Sequence, residues 1–215
     1  MSTTFVEIDS AYPRPDRVES VVEALRRGGL VALPTDTTWV VACDASDRSA
    51  AGRLGDLRAS HESKSKKGVR KPMSLMCPDV STVGTFCNLH QSQFRMIRRV
   101  LPGPYTVILP ASRQVPRQLQ SKRRTVGIRI PDHAVAASVL EALGGPMLVT
   151  TCQSADGDLM SSSPEVAAAY GAGLDVVVET DPIVPAASTV VDYSGDSPTL
   201  IRAGKGEPEP EWDSY

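Results

Sequence analysis

Apolar and polar positions along the chain follow helical and strand-like periods in turn, and this pattern predicts the elements of the fold. Residues 14–28 carry valines and leucines at helical spacing, with a proline in the first turn and two glycines at the end, so they are predicted to form a helix. Residues 30–33 follow as a short buried strand. The same reasoning predicts further helices over residues 47–57, 92–101, 134–143 and 164–170, and further strands over residues 73–77, 105–109, 125–130, 147–150, 175–178, 188–191 and 199–202.

Short strands that alternate with helices are typical of an α/β domain on a mixed sheet. We predict a single domain over residues 14–205, because no linker or internal repeat divides the chain. Residues 59–71 lack periodicity and are rich in lysine, serine and glycine, which predicts an exposed loop. Residues 206–215 are acidic and proline-rich, which predicts a disordered tail. In the helix over residues 92–101, Phe94, Ile97 and Leu101 are predicted to face the core.

A polar segment interrupts the apolar run between Val31 and Ala45. Residues 35–38, Thr-Asp-Thr-Thr, lie between the apolar sequences Val-Ala-Leu-Pro and Trp-Val-Val-Ala. Either these residues turn the chain from one strand into the next, or they form a polar site in the gap between two buried strands. The pattern alone leaves both explanations open.

The composition describes an ordinary globular protein, with 41% hydrophobic and 22% charged residues. No apolar run approaches the roughly 20 residues of a membrane helix, and the first residues do not resemble a signal peptide. The 4 cysteines are widely spaced and the 3 histidines match no metal-ligand spacing, so neither a disulfide framework nor a metal site is predicted. We therefore expect a cytoplasmic protein with buried free thiols.

Charge is segregated along the chain. Residues 80–130 contain no Asp or Glu but many arginines, whereas residues 130–200 contain no Lys or Arg. Such segregation favours a basic face that binds a polyanion or a phosphate-bearing ligand. The alternative, a solvated surface whose charges balance across the fold, stays equally open at this point.

Polar residues recur at the ends of the predicted strands, where ligands bind in α/β sheets. Arg129 and Arg202 carry the most weight, because each ends an apolar run and an arginine there is costly unless it is paired or binds an anion. For Arg129 the alternative is a salt bridge to Asp132 or to another carboxylate. His133, at a strand-to-helix junction, is interpreted as a capping or surface residue. The remaining strand-end residues are Thr35, Thr37, Ser74, Thr125, Thr150, Thr151 and Ser188.

Six ordered motifs give the chain a resemblance to a known family. They are Leu-Pro-Thr-Asp-Thr from residue 33, Lys-Pro-Met-Ser-Leu from 71, Leu-Pro-Gly-Pro-Tyr-Thr from 101, Thr-Val-Gly-Ile-Arg-Ile-Pro-Asp-His from 125, Ser-Thr-Val-Val-Asp from 188 and Ile-Arg-Ala-Gly from 201. From about residue 28 to about residue 204 the chain resembles the YrdC/YciO family, which contains the L-threonylcarbamoyladenylate synthases. The resemblance implies a three-layer α/β fold, with a twisted mixed parallel and antiparallel sheet around a concave basic cleft.

The resemblance also implies a reaction and a site. Family synthases join ATP, L-threonine and bicarbonate into threonylcarbamoyl-AMP and pyrophosphate, the first step of the tRNA t6A modification. Mg²⁺ is expected to arrive with ATP rather than on a protein ligand set. By resemblance, the threonine side comprises Thr35, Ser74, Arg129 and Ser188, and the ATP side comprises Arg58, Thr125, Thr151 and Arg202.

The chain departs from the synthase pattern at four positions. The synthases carry a Lys-x-Arg pair and a Ser-x-Asn pair, and the corresponding residues here are Arg58 with Ser60 and Thr151 with Gln153. These changes are typical of the YciO branch. Two hypotheses follow: an enzyme of the synthase type with weak or altered activity, or a non-catalytic protein that binds double-stranded RNA or tRNA in the basic cleft.

Overall fold

The protein is built on one open, mixed sheet. The computed structural model describes residues 3–61, 73–116 and 119–214. The strands are β1 (Thr4–Glu7), β2 (Val31–Leu33), β3 (Val40–Asp44), β4 (Ser74–Met76), β5 (Tyr105–Pro110), β6 (Thr125–Arg129), β7 (Met147–Thr151), β8 (Val176–Glu179), β9 (Thr189–Asp192), β10 (Thr199–Arg202) and β11 (Asp213–Ser214). The helices are α1 (Pro15–Arg26), α2 (Arg48–His61), α3 (Val80–Phe86), α4 (Gln91–Val100), α5 (Ala134–Leu143) and α6 (Ser163–Tyr170).

Helices cover both faces of the sheet, so the fold has three layers. The strand order is β1-β8-β2-β3-β7-β4-β6-β5-β9-β10-β11, with both parallel and antiparallel pairs. Helices α1 and α5 pack on one face, against apolar side chains of β1, β2, β3, β7 and β8. Helices α2, α3, α4 and α6 contribute to the core on the other face. The predicted α/β fold on a mixed sheet is therefore confirmed.

The face that carries α1 and α5 is polar in the region of β5 and β6. Along β6, Val126 and Ile128 belong to the opposite core, so Thr125, Gly127 and Arg129 point to the α1/α5 face. On β5 the same alternation places Thr106 there, and this side chain is only partly buried. We call this surface of β4, β5, β6 and β9 the polar half-face.

Strand β1 and helix α3 are among the elements that were not predicted. Strand β1 precedes the predicted start of the domain at residue 14 and pairs in parallel with β8. Helix α3 was overlooked, although Asp79 is a recognisable cap whose side chain accepts a hydrogen bond from the Thr82 amide. The predicted loop over residues 59–71 is wrong for residues 59–61, which end α2, and its remainder lies outside the described residues.

The inward face of α4 also differs from the prediction. Phe94 is 36% exposed, and Gln93 is buried in its place. The side chain of Gln93 accepts a hydrogen bond from the His90 amide and donates one to the Tyr193 carbonyl, at 2.9 Å and 2.6 Å. These two bonds fix Gln93 inward at the helix start, so its hydrogen bonds outweigh the hydrophobicity of Phe94 in setting the helix orientation.

The segment predicted as a disordered tail instead packs on the domain. Trp212 is buried and meets the rings of Tyr105 and Tyr193 edge-on. On α4, Arg99 pairs with Glu211 at 2.5 Å. The acidic, proline-rich composition pointed to disorder, but one large aromatic side chain and complementary charge are enough to hold the segment down.

The buried thiols predict a loss of stability at alkaline pH. All 4 cysteines are free and buried, and burial raises the pKa of Cys43, Cys77 and Cys87 from 9.0 to about 12. Because the folded-state pKa lies above the unfolded value, the stabilisation is complete below pH 9 and falls as the pH rises towards 12. Urea unfolding at pH 8, 9, 10 and 10.5 should show a steadily decreasing free energy of unfolding. Equal values at pH 8 and 10.5 would contradict this prediction.

Candidate functional site

The polar segment after β2 is a turn that is closed by its own side chains. The Thr35 hydroxyl accepts hydrogen bonds from the amides of Thr37 and Thr38 at 3.2 Å and 3.1 Å, and donates one to the Thr38 carbonyl at 2.7 Å. All three threonines are buried. The turn joins the antiparallel strands β2 and β3, so the first of the two explanations holds.

The second explanation holds as well, because the same turn meets a buried arginine. Arg129 is 5% exposed, and its Nη2 donates to Asp36 Oδ1 at 3.1 Å and to Thr37 Oγ1 at 2.5 Å. The predicted carboxylate partner therefore exists, but it is Asp36 rather than Asp132. Burial lowers the pKa of Arg129, an effect that Asp36 opposes and Arg202 reinforces.

This ion pair leaves polar atoms unsatisfied on both partners. Among the described residues, Asp36 Oδ2 and Arg129 Nε are buried without a hydrogen-bond partner, and so is Nδ1 of nearby His133. Burial also lowers the pKa of His133, and Asp36 opposes this shift. His133 occupies the N-cap position of α5, as predicted for a capping residue, but its side chain is partly buried and makes no cap hydrogen bond.

A cluster of hydroxyl groups lies on the neighbouring strands. Ser188 Oγ is 2.8 Å from Thr106 Oγ1, and the guanidinium of Arg202 donates to the Ser188 carbonyl at 2.6 Å. Ser74 pairs in register with Gly127, where an added Cβ would lie 3.0 Å from Ser74 Oγ and 3.4 Å from the Thr106 methyl group. The absence of a side chain at Gly127 thus keeps open the space between Ser74 and Thr106.

The predicted threonine-side residues therefore lie on the polar half-face or in the turn over residues 35–38, which contacts Arg129. Thr35 shapes the turn that contacts Arg129, and Ser74 and Ser188 lie beside Thr106. Arg202, assigned by resemblance to the ATP side, contacts Ser188. Thr106 and Lys205 were not among the predicted site residues. Lys205 Nζ donates to the Asp36 carbonyl.

Two of the predicted ATP-side residues, Thr125 and Thr151, lie near one another on the sheet. Ser74 pairs with Gly127 on β6 and with Val149 on β7. Thr125 lies two residues from Gly127, and Thr151 lies two residues from Val149 in the same direction, so both threonines lie in one row across the sheet. One strand position separates them, which corresponds to about 10 Å. Thr125 Oγ1 lies 2.7 Å from the hydroxyl of Ser121, and Thr151 is exposed.

Arg58 is placed differently from Thr125 and Thr151. It lies in the last turns of α2, the helix that packs against the opposite face of the sheet. Its position beside those two residues therefore stays a prediction.

The two non-conservative departures from the synthase pattern are linked through one chain of contacts. Ser60 Oγ donates to the Leu57 carbonyl at 2.7 Å and lies 3.0 Å from His61 Nδ1. The His61 ring stacks on Tyr170 at 4.0 Å, and the Tyr170 hydroxyl accepts from the Gln153 amide and donates to the Gln153 carbonyl, each at 3.0 Å. The Gln153 side chain donates to the Gly157 carbonyl. Both departing side chains thus bond to carbonyls of nearby backbone.

Exposed cations lie beside the Thr125 end of the polar half-face. Lys122, Arg123 and Arg124 are exposed in a turn whose amides at Arg123 and Thr125 donate to the Ser121 hydroxyl. None of these three cations pairs with a carboxylate within the described part of the chain. Arg99, in contrast, pairs with the C-terminal segment. The basic charge is therefore compensated at Arg99, and no described carboxylate compensates it at this turn.

Proteins of known sequence and structure share this architecture. The family profile Sua5_yciO_yrdC, described as telomere recombination, matches residues 23–204. The uncharacterized protein YciO of Escherichia coli strain K12 is 31% identical over 208 residues, which cover 96% of this chain and 98% of YciO. The chain belongs to the Sua5/YciO/YrdC family. The family resemblance of the sequence motifs is thereby confirmed.

Other members of the Sua5/YciO/YrdC family show how far the similarity extends. The threonylcarbamoyl-AMP synthase of Halorhodospira halophila is 31% identical over 166 residues, covering 77% of this chain and 83% of that protein. The crystal structure of E. coli YciO superposes with a TM-score of 0.88 at 29% identity, covering 97% of this chain and 99% of YciO. P. abyssi Sua5 complexed with L-threonine superposes with a TM-score of 0.87 at 22% identity, covering 99% of this chain and 63% of Sua5. The Sua5 comparison shows the shared fold.

Membrane-spanning helices and clusters of metal ligands are both absent from the described residues. No helix among residues 3–61, 73–116 and 119–214 is long and apolar enough to cross a membrane. Within the same residues, no three His, Cys, Asp or Glu side chains are grouped to hold a metal ion.

Proposed function

We propose that this protein is a YciO-type enzyme of the threonylcarbamoyl-AMP synthase class, which binds an amino acid at the Asp36–Arg129 pair. One observation carries the proposal: each member of a buried ion pair retains a polar atom that bonds to none of the described residues, an acceptor on Asp36 and a donor on Arg129. Buried ionic groups that serve only the fold are normally fully hydrogen-bonded. A free acceptor and a free donor side by side instead suit a ligand that carries both charges.

A zwitterionic amino acid satisfies both atoms. Its ammonium group donates to Asp36 Oδ2, and its carboxylate accepts from Arg129 Nε. Such charge-assisted bonds are roughly twice as strong as neutral ones, and the buried setting strengthens them further. The hydroxyls of Thr106, Ser74 and Ser188 border the same surface, so the site suits an amino acid with a small polar side chain.

In the proposed chemistry the ammonium group first loses a proton, and the neutral amine attacks the bicarbonate carbon as water leaves. An oxygen of the resulting carbamate then attacks the α-phosphate of ATP, and pyrophosphate leaves. This chain holds the amino acid in place for the first step and brings a cation to the second. The guanidinium of Arg202 is held by Ser188, beside the hydroxyl cluster. Arg202 is therefore proposed to contact the phosphate oxygens. Thr125 and Thr151 are proposed to border the nucleotide. Mg²⁺, when bound with ATP, neutralises charge on the phosphates.

The test is pyrophosphate release from ATP and Mg²⁺ by the purified full chain. Release that requires both L-threonine and bicarbonate, and that is lost when either is omitted, is the expected result. The same protein should release less with L-alanine, which lacks the side-chain hydroxyl. An absence of pyrophosphate at millimolar substrate would overturn the proposed reaction.

A second candidate function rests on the exposed basic turn at residues 122–124. Three consecutive exposed cations beside the polar half-face suit the phosphate backbone of structured RNA. In this account the protein binds double-stranded RNA or tRNA without adenylation. Affinity should then fall steeply with salt and drop in the variant Arg123→Glu/Arg124→Glu, whereas amino-acid binding at Asp36 should be unchanged. RNA affinity that is equal in wild type and variant would contradict this candidate.

A further inference from the structure

The segment after residue 204 lies outside the family profile, yet it reaches the candidate site. The profile match ends at residue 204. The next residue, Lys205, donates from Nζ to the backbone carbonyl of Asp36 at 2.5 Å and from its amide to the Ala187 carbonyl at 2.8 Å. Ala186 in turn donates to the Thr37 carbonyl at 2.8 Å. Lys205 therefore links two segments: the turn that contains Asp36, and the residues that precede Ser188.

The residues that follow Lys205 are anchored along the sheet. Gly206 is buried, and its carbonyl accepts a hydrogen bond from the Thr189 hydroxyl. A Cβ at Gly206 would lie 2.4 Å from the Tyr105 ring, and the Tyr105 hydroxyl donates to the Glu207 carbonyl at 3.0 Å. Trp212 closes the segment against the same Tyr105 ring.

We infer that residues 205–212 form a strap that holds Lys205 as a positioning residue for the amino-acid half of the site. The inference rests on the proposed function, because its consequence is measured on amino-acid binding. Lys205 fixes the carbonyl of Asp36, the residue whose carboxylate pairs with Arg129. Loss of this bond frees the turn to rotate the carboxylate away from Arg129, so the ligand must reorder it upon binding.

The first test compares Lys205→Met with the control Arg27→Met, which removes an exposed cation directly after the last residue of α1. We expect Lys205→Met to raise the dissociation constant or KM for L-threonine about tenfold and to leave the KM for ATP unchanged. A general structural defect would change both constants. Lys205→Arg, which retains a donor, should recover part of the affinity. Equal threonine constants in Lys205→Met and wild type would overturn the inference.

The second test asks whether the strap acts through Lys205. Trp212→Phe and Trp212→Ala should weaken threonine binding in that order. Adding Lys205→Met to Trp212→Ala should cause little further loss, because both changes remove the same constraint. Losses that simply multiply would show that the strap and Lys205 act independently, which contradicts the inference.

Amide hydrogen exchange separates this inference from the proposed function. The amides of Thr37 and Thr38 are bonded to Thr35 Oγ1, so they report on the turn whether or not the protein is an enzyme. Their exchange should be severalfold faster in Lys205→Met than in Arg27→Met. Unchanged exchange would refute the positioning role even if pyrophosphate release is observed. Faster exchange without pyrophosphate release would support the strap and reject the reaction.

Discussion

Replacing Arg129 with methionine should abolish threonine-dependent pyrophosphate release and lower the free energy of unfolding by about 3–5 kcal/mol. Methionine fills a similar volume but leaves the Asp36 carboxylate, 8% exposed in its side chain, buried without its cation. The Thr37 hydroxyl loses its donor from Arg129 as well. Activity and stability therefore fall for the same physical reason, the loss of charge compensation.

A double-mutant cycle separates these two effects. Asp36→Asn alone should also be inactive, since an amide does not offer an anionic acceptor to the ammonium group of an amino acid. The double variant Arg129→Met/Asp36→Asn should recover much of the lost stability but none of the activity, because no buried charge is then unpaired. Urea unfolding and pyrophosphate release measure the two outcomes. An active double variant would show that the ion pair only stabilises the fold.

Replacing Gly204 with alanine should destabilise the protein by about 1–3 kcal/mol and reduce activity by more than tenfold. A Cβ at Gly204 would lie 2.3 Å from the Ala187 carbonyl oxygen and 2.5 Å from the Ser188 carbonyl carbon. Both contacts are with backbone atoms, so the chain itself must move. That movement displaces the Ser188 carbonyl, which accepts two hydrogen bonds from Arg202.

Gly195→Ala provides the matched control for Gly204→Ala. A Cβ at Gly195 would lie 3.8 Å from its nearest neighbour, the Ser197 carbonyl oxygen, which is an ordinary van der Waals distance. Neither glycine has a left-handed φ, so the two variants differ in crowding rather than in backbone preference. Thermal unfolding and the KM for each substrate should be near wild type for Gly195→Ala. Similar behaviour of the two variants would remove the packing argument.

Much of the fold was predictable because its elements carry local signals. The helix predicted over residues 134–143 matches α5 residue for residue, since its apolar spacing is clear and Gly144 supplies a left-handed cap with a φ of 75°. Strand β1 has no such signal. It is held by pairing with β8, far along the chain, so its formation depends on a partner that local patterns do not reveal.

The candidate site was likewise predictable only where its residues lie in local sequence motifs. The motifs predicted Thr35, Ser74, Arg129 and Ser188 as residues of one site. In the structure, Thr35 lies in the turn over residues 35–38, and the other three lie on the polar half-face. The partner of Arg129 was not predictable, because Asp132 is close in sequence while Asp36 is 93 residues away and reaches Arg129 only through the fold. The role of Lys205 was hidden in the same way, since its acidic neighbours predicted disorder.

The most direct test of the central claim is calorimetric titration with L-threonine and two analogues that each lack one charge. L-threoninol lacks the carboxylate that Arg129 is proposed to bind, and N-acetyl-L-threonine lacks the ammonium that Asp36 is proposed to bind. We predict that L-threonine binds to the wild-type protein, that each analogue binds at least tenfold more weakly, and that Arg129→Met/Asp36→Asn binds none of the three. Equal binding of L-threonine and its analogues, or undiminished binding by the double variant, would contradict an amino-acid site at the Asp36–Arg129 pair.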